Sequence, residues 1–302
     1  MPRKRLYVIG NGFDLYHGIK SSYGGFGRYL EQVNFELHEV VKTYLPFEGD
    51  WKNLEAKLAH LDVDFIVDNA SAFLDSYGAE DWSDSYHHDY QYEVEKIVDA
   101  LSSGLKAAFT AWAKTLKIPD VSSCSVPLLP LDAGARYLNF NYTSTLQRLY
   151  QISPGRVLHI HNSVADNQPD LVLGHAVNPY GRQSLNHGLD LEAQDTRETE
   201  ANDILDSYFF ATYKPVHEIV KKHRGYFDSL AGIEEIYVVG HSLSEVDIPY
   251  FVEIVNATRY SDPEWVVTYY IQSEILEMNS TLVSAGVPSH KVRFIEICGL
   301  PL

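Results

Sequence analysis

Leu6-Tyr7-Val8-Ile9-Gly10-Asn11-Gly12-Phe13-Asp14 is the stretch that decides how the rest of this chain is read. Four apolar residues end at a glycine, and the chain then passes through Asn11 and a second glycine into Phe13 and Asp14. A short apolar run closed in this way reads as a buried strand entering a tight turn. Runs of the same kind recur at 136–140, 156–160, 171–173, 236–239, 265–271 and 292–297, rich in β-branched and aromatic residues. Seven candidate strands separated by longer segments predict an α/β fold built on an open, mostly parallel, Rossmann-like sheet.

Helical patterns lie between these runs. Tyr90, Val94, Ile97, Val98, Leu101, Leu105, Ala108 and Trp112 step by three and four, which places them on one face of a long amphipathic helix. Trp51, Leu54, Leu58, Leu61 and Phe65 predict a second, and the apolar positions from Val216 to Leu230 a third. Asp247 followed by Pro249 marks a helix start just after the fifth run. Residues from about 28 to 135 carry helical patterns and no strand, so we expect a single domain over 1–302 with a helical insertion over about 28–135. The segment 78–89, with adjacent His87 and His88, and the polar segment 178–200 read as surface excursions, the second also as a lid.

The chain has 302 residues, and 41 acidic against 24 basic side chains give a net charge of −17. That charge repels phosphate backbones and anionic lipid, so neither nucleic acid nor a membrane surface is expected as a partner. No window approaches the roughly 18 apolar residues of a spanning helix. Arg3-Lys4-Arg5 precedes an apolar run that stops at Gly10, too short for the core of a signal peptide, so no export signal is expected. Cys124 and Cys298 form no CxxC pair, which leaves neither a disulfide framework nor a cysteine-based zinc site. A reducing cytoplasm is the expected location.

Five weaker motifs follow candidate strands, where open α/β sheets place their ligands. The glycines of Gly10-Asn11-Gly12 let the backbone approach a pyrophosphate whose charge amide groups can meet, or they simply make a tight turn. The amide side chains of Asn139-Phe140-Asn141-Tyr142-Thr143 suit a helix cap or a ligand contact. In Leu158-His159-Ile160-His161, strand alternation would put both histidines on one face, as bases or as core histidines bonded to carbonyls, and no acidic residue follows at metal-ligand spacing. Gly174-His175 ends a strand candidate. Gly240-His241-Ser242-Leu243-Ser244 nearly spells the nucleophile elbow GxSxG, with Asp262 and His290 in hydrolase order, but Ser244 stands where that elbow has glycine.

Taken together, the chain resembles the bacteriophage abortive infection AbiH family. The likeness rests on GNGFDL at Gly10–Leu15, His17-Gly18, Ser22-Tyr23 and Phe26, Trp51 and Glu55, Phe140–Thr143, His159–His161, Gly174-His175 and Gly240–Leu243 with Val246, Asp247, Tyr250 and Phe251. More remotely it resembles sirtuin-like NAD-binding domains. There Gly10 and Gly12 are similar to the GAG turn, Phe140–Thr143 to the QNID block, His161-Asn162-Ser163 to the catalytic HG motif and Gly240–Leu243 to the GTSL turn. Thr143 departs from that pattern where sirtuins have aspartate, and Asn162 where they have glycine. Two cysteines cannot build the deacetylase zinc ribbon.

The resemblance implies antiphage defence by hydrolysis of NAD to ADP-ribose and nicotinamide, with NAD as substrate and no metal. It implies His161 and Asn141 as catalytic residues and Gly10, Asn11, Gly12, Phe13, Asp14, His175, Gly240 and Ser242 around the dinucleotide. A homo-oligomer or a phage-derived trigger is left open as partner. Two other readings stand beside it: a serine hydrolase with Ser242 as nucleophile, and a nucleotide-binding module without turnover.

Overall fold

Six strands form: β1 (Arg5–Ile9), β2 (Arg136–Asn139), β3 (Val157–His159), β4 (Glu235–Val239), β5 (Glu264–Tyr269) and β6 (Val292–Glu296). The computed structural model describes residues 3–47, 49–74, 88–166, 170–190 and 194–301. All five pairings are parallel and the order is β3-β2-β1-β4-β5-β6. This is the open Rossmann-like sheet expected, in the strand order of doubly wound dinucleotide-binding folds. In that order the direction of winding reverses between β1 and β4, the point at which sheets of this order place their ligand crevice. Gly10 follows β1 and Gly240 follows β4 at that point.

β1 is central because both of its faces are apolar. Leu6 and Val8 point into one core with Leu138, Ile236, Val238 and Val267, covered by residues of helices Val216–Lys222, Ile248–Thr258 and Ile275–Ser284. Tyr7 and Ile9 point into the other with Phe13, Tyr137, Leu146, Tyr237 and Val239. In register, Tyr7 lies between Tyr137 and Tyr237, its ring stacked on both at 5.1 and 4.9 Å. Such pairs add about 1 kcal/mol each beyond the area they bury.

The sequence reading and the structure differ at several elements. The 171–173 run makes no strand: the Val172 amide donates to the His161 carbonyl and its carbonyl accepts from the Tyr142 hydroxyl, single bonds in place of a ladder. The helix expected through Trp51–Phe65 breaks into Leu54–Lys57 and Val63–Ala70, because the Asp62 side chain accepts the Phe65 amide and caps a fresh start. The third splits at His223 into Val216–Lys222 and Arg224–Asp228. The long helix does form, as Asp89–Asp99, a π turn Ala100–Gly104 and Leu105–Thr115. Most of 78–89 lies outside the described residues.

The chain forms two compact units, one of Met1–Gly25, Thr110–Val172 and Pro215–Leu302, the other of Phe26–Phe109 and Leu173–Lys214. The sheet belongs to the first. The second is helical, and within it Thr196–Ala211 joins the residues of the expected insertion through Gln91 to Glu200 and the Tyr208 hydroxyl to the Leu58 carbonyl. Its Lys214, fully buried, pairs with Glu55 at 3.1 Å. No helix of the described residues is long and apolar enough to cross a membrane.

Backbone meets backbone where β1 and β4 end. The Gly12 amide donates to the Gly240 carbonyl at 2.6 Å, and the Gly10 amide to the Val239 carbonyl at 3.0 Å. Gly240 is left-handed (φ 64°), and a Cβ there would stand 2.2 Å from the Phe13 nitrogen. Gly240→Ala is expected to lower unfolding stability by about 3 kcal/mol, from the left-handed conformation together with the clash. Gly155→Ala, where nothing lies within 4 Å, is expected to cost less than about 1 kcal/mol; urea denaturation of both variants checks the difference.

Candidate functional site

The Gly10 bend opens the short helix Asn11–Tyr16, and its polar groups find partners in the loop after β2. The Asn141 Nδ2 donates to the Gly10 carbonyl at 3.0 Å, while the Asn141 amide donates to Asn139 Oδ1. Thr143 Oγ1 donates to Asp14 Oδ2 at 2.5 Å, which leaves Thr145 to donate to Thr143 across 2.9 Å. Asn141 and Asp14 therefore meet the same turn from two distant parts of the sequence. Asn141 is 5% exposed and Asp14 wholly buried.

The loop after β3 is tied to the same region. The Val164 amide and the Ser163 hydroxyl both donate to the Tyr142 carbonyl. Asn162, which stands where the sirtuin-like motif has glycine, is left-handed at φ 64° and donates its side-chain amide to the Asp170 carbonyl. Asparagine is the side chain that tolerates this conformation best after glycine, so the turn a glycine would make is kept.

The two histidines part company here. β3 ends at His159, so period-two alternation does not extend to His161, which lies in the following turn. His159 is held at both ring nitrogens: Nδ1 lies 3.1 Å from the Asn141 carbonyl and Nε2 3.0 Å from the Gln147 side-chain amide. Burial lowers its pKa from the ordinary value and keeps it neutral. It is a structural bracket for the Asn141 loop. His161, 3% exposed, turns its Nε2 toward Asp247 Oδ1 at 3.8 Å, and His241 Nε2 lies 3.6 Å from the other oxygen of that carboxylate. The Phe140 ring meets both imidazoles nearly edge-on, at 5.2 and 4.4 Å.

Other sequence-predicted positions fall as follows. Gly10 and Gly12 spend their amides on Val239 and Gly240, so their part in the site is close approach of two turns of the backbone rather than donation to an anion. Phe13 is in the core beneath the bend, and exposed Asn11 accepts from the Ser21 hydroxyl. Gly240 donates to the Thr268 hydroxyl. Ser242 is exposed at the end of β4, but the left-handed residues flanking it are Gly240 and Leu243, and Asp262 gives its carboxylate to Lys291 at 3.0 Å. A nucleophile elbow holds the serine itself in the strained turn, with an acid oriented to a histidine; that arrangement is not what these residues make. His175 lies in the second unit, its backbone bonded to Thr212 and Lys214, and burial drives its pKa down to about 4. Among the described residues no group of three or more His, Cys, Asp or Glu could hold a metal ion. The sequence reading left His241 and Asp247 out of the site. Their signal lies in the segments that carry the family likeness, Gly240–Leu243 and Val246-Asp247, where the sequence reading assigns the aspartate a helix start and no place in the site.

A family model described as bacteriophage abortive infection AbiH matches residues 6–269. No curated protein and no solved structure matches the chain.

Asp14 is the costliest polar group of the bend. Removal from water pushes its carboxyl from 3.8 up to about 6, against the opposing pull of Thr143, Thr145 and Asn141. Between these two values the folded chain binds a proton that the unfolded chain has released, so stability falls as pH rises from 4 to 6. At about 1.4 kcal/mol per pH unit the loss is roughly 3 kcal/mol. Asparagine carries no charge and can still accept from Thr143. Urea denaturation at pH 4, 5, 6 and 7 is expected to show wild type losing roughly this much relative to Asp14→Asn.

Proposed function

This chain belongs to the bacteriophage abortive infection AbiH family and has a role in abortive-infection defence, and we propose that it acts by hydrolysing NAD to ADP-ribose and nicotinamide. The observation that carries this reading is the junction at the switch point of the sheet: Asn141 bonded to the Gly10 carbonyl, with Gly240 closing against Gly12. Dinucleotides bind at that point in sheets of this order. The reading also draws on the sirtuin-like resemblance of the Gly10, Asn141 and His161 segments.

The chemistry asks little of the protein. The bond between the nicotinamide nitrogen and C1′ of the ribose breaks, and its electron pair leaves with the ring as neutral nicotinamide. Water adds to C1′, and its proton passes to His161 and then to solvent. The site must grip the dinucleotide, orient the ribose and receive that proton. Asn141 holds the ribose or the water, and Asn11 and Ser242 offer polar contacts beyond the ends of β1 and β4. His161 and Asn141 are almost wholly buried, which fits an enzyme kept silent until infection uncovers them.

In cells expressing wild type, phage infection is expected to deplete NAD and release nicotinamide. His161→Ala should cut release by roughly 100-fold or more and Asn141→Ala by about 10-fold or more, with loss of protection. Protection that persists with NAD unchanged would overturn the proposal. NAD binding by the purified protein, without release in infected cells, would assign a sensor instead.

A further inference from the structure

The carboxylate of Asp247 stands between two buried imidazoles, and the hydrogen bonding of one of them fixes what the other can do. His241 Nδ1 accepts the Leu243 amide at 2.9 Å. A ring nitrogen that accepts an N–H carries a lone pair, so the proton of neutral His241 is on Nε2. That nitrogen faces Asp247 Oδ2, 3.6 Å away. Protonating His241 at Nδ1 would break the Leu243 bond, which opposes its ionisation and fixes the neutral ring in one tautomer. The negative charge of Asp247 is left to the second imidazole, His161, whose Nε2 faces Oδ1 at 3.8 Å.

We propose that Asp247 is a positioning residue for His161: it holds the His161 proton at Nε2, leaves Nδ1 as the basic nitrogen, and stabilises the imidazolium when a proton arrives, while His241 anchors the carboxylate. This rests on the reading of His161 as the base. The distances exceed those of hydrogen bonds, so in this structure the three groups interact through charge and dipole. The surroundings strengthen that interaction: all three side chains are at most 10% exposed, and Phe140 and Phe251 wall the cluster. The phenol rings of Tyr142 and Tyr250 also stand beside His161, with centroids 6.3 and 5.6 Å from it. Neither carries charge near neutral pH. A carboxylate oriented in this way sets the tautomer of a general base without itself taking the proton.

Ring-nitrogen NMR on the full chain with labelled histidine tests the assignment without any substrate. His161 and His241 are both expected as Nε2–H tautomers, with His241 neutral across pH 5 to 8. Asp247→Asn should lower the His161 titration midpoint by about one pH unit or more, or shift its tautomer if it stays neutral throughout, and Asp247→Glu should restore part of the wild-type behaviour. In the infection assay, Asp247→Asn should reduce nicotinamide release by about 10-fold or more, with protein level unchanged. A His161 midpoint and tautomer unmoved in Asp247→Asn, or a wild-type His241 protonated at Nδ1, would overturn the proposal. If the NMR shifts occur and wild type releases no nicotinamide in infected cells, the pairing stands and the NAD reading alone fails.

Discussion

The first sheet unit depends on the contact of two bare backbones where β1 and β4 end. Gly12 donates to Gly240 across 2.6 Å, and a Cβ on Gly10, Gly12 or Gly240 would fall within 3 Å of main-chain atoms of the facing turn. Only hydrogen in place of a side chain permits that approach. The contact brings the turn after β1 beneath the turn after β4 at the point where the sheet changes its winding direction. It also sets the angle at which the short helix Asn11–Tyr16 leaves the sheet, and hence where Asp14 is buried.

From that junction the polar network spreads by obligation. The Gly10 carbonyl, which already accepts the Phe13 amide, takes a second bond from Asn141, and the carboxylate buried at Asp14 takes one from Thr143. Unpaired, such groups cost more than the net gain of a bond, so the loop after β2 is fixed by the cost of leaving it elsewhere. His159 then fixes the same loop from β3, and the turn through left-handed Asn162 carries His161 away from the sheet toward Asp247. One histidine of the pair is bonded into the frame, and the other faces a carboxylate.

The two ends of the network differ in electrostatic character. Around Asp14 the burial of a single carboxyl raises its proton affinity, with hydroxyl and amide groups as its only support. Around Asp247 the carboxylate faces two imidazoles, at 3.8 and 3.6 Å. The two acids of this unit therefore differ in partners, hydroxyl and amide groups around one and imidazoles around the other.

The sheet was legible in the sequence, because parallel strands buried on both faces must be short and continuously apolar, and Leu6–Ile9, Ile236–Val239 and Trp265–Val267 are. The first bend was legible for the same kind of reason, since glycine placement is a local steric requirement. The 171–173 run misled because apolar residues can be buried by single bonds to a loop, and the Trp51–Phe65 pattern because a cap at Asp62 interrupts a helix without disturbing its apolar spacing. What local pattern could not contain was the partition of roles among polar residues. His159 and His161 are equivalent two residues apart, until Gln147 and the Asn141 carbonyl claim one and Asp247, 86 positions further on, faces the other. Hydrogen bonds and charge pairs act across space with no periodicity along the chain. The sequence could therefore name the polar residues at the strand ends, and only the folded backbone decided which of them meet.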